Sequence, residues 1–256
     1  MGFIHVNGIQ LFVEVKGSGF PIIFIHGVGG DHKAHLGNVI EPLSKNFRTI
    51  SLDCRGHGQS DKPRHFTLAD HANDILGIMN YFELETAHLL GTSMGSYIAQ
   101  LVAINAPERI PKLVLTVPKS NGLTSSLQRL FKENEKEIKG LNMHEIIVKL
   151  LKYMVYDPEL MKNHLEIFET KLSSEEFDAA NKAIGAFDFR KDLSKIKAET
   201  LIISGKHDGL NPPADGKEVA SLIPGAIFLE MQYSGHAPMF EETHTYVEKV
   251  KEFLLG

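Results

Sequence analysis

Three hydrophobic patterns follow one another along the 256-residue chain. Residues 3–15 alternate apolar and polar positions about Asn7-Gly8, a pair that tolerates the positive φ angles of a tight hairpin turn, so the chain opens with a β-hairpin. A continuous apolar run comes next at 21–26, and short, mainly apolar strand-like segments follow at 47–52, Leu89-Leu90 and 112–117, and again at 199–204 and 226–231. A run with no polar face reads as a strand covered on both sides. Between these runs apolar residues recur at helical spacing. The helix 67–82 carries Thr67 as N-cap with Leu68, Ile75, Ile78, Met79 and Phe82 on one face, and Pro107 stops the helix that follows Ser93. Residues 213–222 and 241–254 read as two further helices. The third pattern spans 119–190, where the strand signal vanishes and Leu, Ile, Met, Lys and Glu fall into several helices.

Strands alternating with helices predict an α/β fold, a mainly parallel sheet with helices on both faces. Residues 1–118 and 191–256 form its core, and 119–190 is a helical insertion expected to cap it. Right-handed crossovers leave the strand C-termini on one edge, where a site is expected. Val28, Asp53, Ser93, Asp208 and His236, far apart in sequence, each fall just after a predicted strand and should converge there.

Composition narrows the chemistry. A formal net charge of −5 gives no basic footprint for nucleic acid, and no stretch approaches the roughly 18 apolar residues of a membrane span, so a small-molecule substrate is expected. The one cysteine, Cys54, cannot form an internal disulfide and reads as buried packing, and the N-terminus has no secretory pattern; both suit a cytoplasmic protein. Oligomeric state is not encoded in these features.

The chemical centre is Gly91-Thr92-Ser93-Met94-Gly95, a serine between two glycines at a strand-to-helix junction. A serine hydroxyl is a poor nucleophile at neutral pH and needs a base within hydrogen-bond reach and a carboxylate to orient that base. His236 and Asp208 supply them, in the order Ser…Asp…His. With His26-Gly27-Val28-Gly29-Gly30, the loop from Asp53-Cys54-Arg55-Gly56-His57-Gly58-Gln59-Ser60, Gly205-Lys206-His207-Asp208 and Gly235-His236, the chain resembles the α/β-hydrolase fold family over nearly its whole length. The resemblance implies Ser93 as nucleophile, His236 as base and then acid, and Asp208 as orienting carboxylate. It also implies an oxyanion hole from the backbone N–H groups of Val28 and Met94. Serine at position 93 sets the chain apart from the dehalogenase and epoxide hydrolase branches, which use aspartate. Two departures stand out: Ser96 occupies a position where relatives often carry glycine, and no tryptophan follows Gly30, where the sequence is Ala34-His35-Leu36.

Neighbouring residues have plainer readings. His26, His57 and Asp53 shape their loops, and Asp215 belongs to the first turn of the following helix, where a carboxylate suits the helix dipole. Asp70, His71 and Asp74, like His32 and His35, lack the third ligand of a recognised metal motif and are expected on a solvated face; no metal or cofactor is expected. Met143, Ile147, Leu150, Leu151 and Met154 recur at helical spacing in the insertion, and Met143, Ile147, Leu151 and Met154 are expected to line part of the substrate pocket. The expected activity is hydrolysis of a small or medium, largely apolar carboxylic ester through an acyl-enzyme. An enol-lactonase or carbon–carbon-bond hydrolase of the same fold, and a ligand receptor that keeps the triad, are the alternatives.

Overall fold

Asn7 and Gly8 adopt φ of 50° and 76° and fold β1 (Gly2–Val6) back on β2 (Ile9–Lys16), with Val6 opposite Ile9. The computed structural model describes residues 1–256, apart from the side chain of Glu166. β3 (Pro21–Ile25), α1 (Gly37–Leu43), β4 (Arg48–Leu52), α2 (Leu68–Tyr81), β5 (His88–Thr92), α3 (Met94–Asn105) and β6 (Lys112–Thr116) follow. The segment expected as an insertion, between β6 and the next strand, contributes α4 (Ser126–Glu133), α5 (Glu135–Ile138), α6 (Met143–Met154), α7 (Pro158–Met161) and α8 (Ser174–Ala183). The chain returns through β7 (Glu199–Gly205), α9 (Pro213–Leu222), β8 (Ile227–Met231), α10 (Pro238–Glu241) and α11 (Thr243–Leu255).

The eight strands form one sheet in the order β1-β2-β4-β3-β5-β6-β7-β8. Only the β1–β2 and β2–β4 pairs are antiparallel. Successive residues of a strand point to opposite faces, so an unbroken apolar strand must fill two cores. Ile23 and Ile25 of β3 pack in one cluster with Ile75 and Ile78 of α2, Ile98 of α3 and Val219 of α9. Ile22 and Phe24 face the other, with Val39 and Ile40 of α1 and Tyr246 and Val250 of α11.

The sequence reading gives no helix at 37–43, and α1 has no side-chain cap and holds Pro42; burial of Val39, Ile40 and Leu43 fixes it instead. The expected closing helix 241–254 is α11, beginning at Thr243, and a short helix that the sequence reading lacks, α10, precedes it, separated at Glu242, where φ −128° and ψ 46° leave the helical region. Where the insertion leaves and rejoins the core, Asn121 pairs with Asp188, and the Gly122 N–H donates to the Phe187 carbonyl at 2.8 Å. Among the described residues no helix is long and apolar enough to cross a membrane.

Candidate active site

Ser93 joins β5 to α3 with φ 51° and ψ −116°, a conformation that non-glycine residues adopt rarely and only under constraint. The two glycines supply the constraint. A Cβ on Gly95 would lie 2.0 Å from the Ile25 carbonyl oxygen, and one on Gly91 would lie 2.2 Å from the Gly95 carbonyl oxygen. Strand and helix therefore approach more closely than any side chain permits, and the turn between them is sharp. Ser96 fits this junction because its Oγ turns back to donate to the Ser93 carbonyl at 2.6 Å.

Three loops meet at the Ser93 hydroxyl. His236 places Nε2 3.2 Å from Ser93 Oγ, and its Nδ1 lies 2.8 Å from Asp208 Oδ2. A carboxylate only accepts, so Nδ1 carries the proton and Nε2 turns a lone pair to the serine hydroxyl. The other Asp208 oxygen accepts the N–H groups of Leu210 and Asn211 at 2.8 and 2.9 Å. Asn211 is itself held: its Nδ2 donates to the Val117 carbonyl at 2.7 Å and to the Tyr97 hydroxyl at 2.9 Å, and its Oδ1 accepts from Ser126 Oγ at 2.8 Å. Val117 carries φ 47°, an outlier for a β-branched residue, at the point where its carbonyl turns to meet Asn211. Burial pushes the Tyr97 phenol well above its usual range, so it stays neutral.

The loop after β3 is pinned on both sides of Gly27. The Gly27 carbonyl accepts from His26 Nδ1 at 2.6 Å and from the Gly30 N–H at 3.3 Å. His26 Nε2 meanwhile accepts the Cys54 N–H at 2.9 Å, which assigns its proton to Nδ1. In a trans peptide the next N–H points opposite to that carbonyl, so the bonds that hold Gly27 oxygen also aim the Val28 N–H. The Gly27 N–H donates to His35 Nδ1 at 2.9 Å. Met94 opens α3, so its N–H has no intrahelical acceptor.

The insertion grips the same loops. The His236 N–H donates to the Met154 carbonyl at 2.7 Å, and a Cβ on Gly235 or Gly209 would strike the Met154 or Tyr153 carbonyl at 2.2 or 2.0 Å. Glu241 accepts the Gly235 N–H at 2.7 Å on one oxygen and the N–H groups of Tyr156 and Asp157 at 2.7 and 2.9 Å on the other. Arg129 of α4 donates to the Gly209 and Leu210 carbonyls at 2.7 and 3.1 Å.

Val28, Asp53, Ser93, Asp208 and His236 all follow C-terminal ends of sheet strands, and Ser93, His236 and Asp208 are in hydrogen-bond contact there. Asp53 holds its own loop and the neighbouring one, accepting from the Gln59 N–H, the His32 N–H and His32 Nδ1 at 2.7, 2.8 and 2.6 Å. Burial would raise its pKa, but these hydrogen bonds hold the carboxyl below the usual value. Asp31, His32 and Asp53 lie close enough to share a cation, yet both Asp53 oxygens are already occupied by these donors. Cys54 is buried, and burial pushes its thiol up.

The expected solvated face on α2 is corrected. Asp74 is buried and receives Arg55 Nε and Nη2 at 2.8 and 2.7 Å, and His71 is buried beside Phe66. His32 is buried too. Of the insertion residues, Leu150, Leu151 and Met154 are buried in the second core cluster and Ile147 is buried outside it, while Met143 is 53% exposed. Asn211, Glu241 and His35 carry the site's supporting contacts and went unread in these roles. The departure from tryptophan after Gly30 was the one sequence signal at any of them.

A family model described as alpha/beta hydrolase fold matches residues 21–139. A 2-hydroxy-6-oxononadienedioate/2-hydroxy-6-oxononatrienedioate hydrolase from Pseudomonas putida is 31% identical, covering 91% of this chain and 87% of its own. A proline iminopeptidase from Pestalotiopsis fici is 27% identical over 98% of each chain. Among solved structures, the enol-lactonase from Burkholderia xenovorans LB400 superposes with a TM-score of 0.85 at 26% identity over 100% of both chains.

Proposed function

Because this chain belongs to the α/β-hydrolase family, we propose that it is a cofactor-independent serine hydrolase of small or medium, largely apolar carboxylic esters. The observation that carries the reading is the unbroken line from Ser93 Oγ through His236 to Asp208 Oδ2. His236 Nε2 takes the Ser93 proton as Oγ bonds to the ester carbonyl carbon. The resulting oxyanion sits against the N–H groups of Val28 and Met94, each contributing about 100- to 1000-fold in rate. Collapse breaks the carbon–oxygen bond, and His236 returns the proton to the departing alkoxide. Water, deprotonated by His236 in turn, cleaves the acyl-enzyme to acid and free Ser93. Asp208 keeps the imidazole in the required tautomer throughout. Residues 119–190 act as a cap, and Met154, whose carbonyl holds the His236 N–H, is the best placed of Met143, Ile147, Leu151 and Met154 to border the acyl group.

Purified protein should turn over short-chain p-nitrophenyl esters through many cycles, with a fluorophosphonate labelling Ser93 alone and Ser93→Ala losing both. A single stoichiometric burst would favour a receptor, and undiminished labelling of Ser93→Ala would end the assignment. The Pseudomonas relative favours a second reading, cleavage of a carbon–carbon bond in a 2-hydroxy-6-oxo-dienoate. Assayed beside the esters, an enol lactone and prolyl-p-nitroanilide, such a dienoate should be the poorer substrate; a higher kcat/KM than the best ester would transfer the assignment.

A further inference from the structure

We infer that His35 is a positioning residue whose uncharged ring, with its proton on Nε2, holds the oxyanion loop against the insertion. The two hydrogen bonds of the ring fix its protonation. Gly27 N–H can only donate, so Nδ1, 2.9 Å away, must be bare. The Ile167 carbonyl can only accept, so Nε2, 2.7 Å away, must carry the hydrogen. A doubly protonated ring would set Nδ1–H against Gly27 N–H and lose the first bond.

The ring also fills the loop sterically. A Cβ on Gly30 would lie 2.4 Å from His35 Cε1, and one on Gly27 would lie 3.0 Å from Nδ1 and 3.4 Å from the Ser93 Cβ. His35 thus stands behind the backbone that faces the nucleophile. His26 and Gly30 fix the peptide after Gly27, and His35 fixes the one before it, so the Val28 N–H is aimed from both sides. The groups around the ring are His26, with ring centres 6.2 Å apart, His57, His236 and Asp31. Burial lowers the affinity of His35 for a proton; the Ile167 carbonyl and Asp31 act in the opposite sense and His236 in the same one. The neutral ring is the form the loop requires.

The inference rests on the serine hydrolase reading, and its test separates the two. His35→Phe keeps a ring but removes both bonds, whereas His35→Asn puts Oδ1 where Nδ1 was and restores the acceptor for Gly27. His35→Phe should lower kcat about 10- to 100-fold with KM changed by less than about threefold, the signature of a donor that acts in the transition state. His35→Asn should recover most of that loss. Equal losses in both variants, or wild-type kcat in His35→Phe, would overturn the inference while fluorophosphonate labelling of Ser93 left the hydrolase reading standing. Nitrogen-15 NMR of the wild-type ring gives a measurement that needs no variant to fold: protonated Nε2 and bare Nδ1 are expected, and a proton on Nδ1 would overturn the assignment.

Discussion

Asp208 acts through one oxygen on His236 and anchors itself through the other, so an amide at this position separates charge from shape. In Asp208→Asn the carbonyl oxygen can still accept from Leu210 and Asn211, while the NH2 group confronts His236 Nδ1 and drives the proton to the wrong nitrogen. The matching change in a chymotrypsin-type triad lowers kcat about 10⁴-fold. We expect a loss of at least about 100-fold in kcat with an unchanged melting temperature. Asp215, in the first turn of α9, has its carboxyl pushed up by burial, with Asp208 adding to it and Lys119 opposing. Asp215→Asn should change kcat little, and the reverse pattern would reassign the acid. The placement of Ser93, Asp208 and His236 was legible in the sequence because each sits in a small-residue loop straight after a strand, a position that local pattern fixes. Asn211, Glu241 and His35 were not, because their partners lie 94, 85 and 132 residues away and no spacing rule reaches that far.

Elements follow the same division. The hairpin, the sheet strands, the capped helix α2 and the strand-to-helix turn at Ser93 were readable from period, caps and flanking glycines. α1 and the short α10 were not, since tertiary burial decides the first and the backbone at Glu242 sets the second apart from α11. The inward histidine and aspartate of α2 were misread for a related reason: Arg55, on a different loop, makes Asp74 tolerable inside, and sequence does not announce that pairing. The insertion is joined to the His236 loop through backbone contacts at Met154 and through the Glu241 carboxylate. Glu241 is half-buried, and of the three N–H groups it accepts only that of buried Gly235 is left unpaired when it is removed, at roughly 1–3 kcal/mol, while those of exposed Tyr156 and Asp157 can turn to water. Glu241→Ala should therefore lower kcat more than it raises KM, by loosening His236, and Glu241→Gln, which keeps an acceptor, should lose less. Equal kinetics for wild type and Glu241→Ala would show that Met154 alone seats the loop. At Met154 itself, truncation to Ala should cost about 2–5 kcal/mol in denaturant unfolding because the side chain is fully buried. In the surviving fold it should also shift acyl chain-length preference, and an unchanged profile would make the side chain core alone.

For the whole molecule, the feature with most leverage is the row of rings beneath the site: His26 to His57 at 5.1 Å, then His57 to His71 at 6.4 Å. Burial pushes them down to about 3, about 4 and about 3. A histidine whose folded pKa is lowered binds its proton more readily when the chain unfolds, so its contribution to stability is intact above the ordinary value of about 6.5 and is lost as pH falls toward the folded value. Each ring adds a slope of up to about 1.4 kcal/mol per pH unit in that window, and domains are stable by only about 5–15 kcal/mol. Asp53, held low by His32 and Gln59, acts in the same direction below pH 4; Asp74 and Glu241, raised by burial, act against it. Asp215, also raised by burial, joins those two, and all three act within the same interval above pH 4, but the rings outweigh them between pH 6.5 and 4 because their displacement is the larger and His88, lowered to about 4, adds to it. The urea midpoint should accordingly drop steeply across that interval and the fold should be lost near its lower end. His71 tests the cause, since its neighbours Phe66 and His57 leave a ring-shaped space that phenylalanine fills without a charge. His71→Phe should flatten the stability slope by about one proton, near 1.4 kcal/mol per pH unit. A slope identical to wild type between pH 6 and 4 would place the acid sensitivity outside this row of histidines.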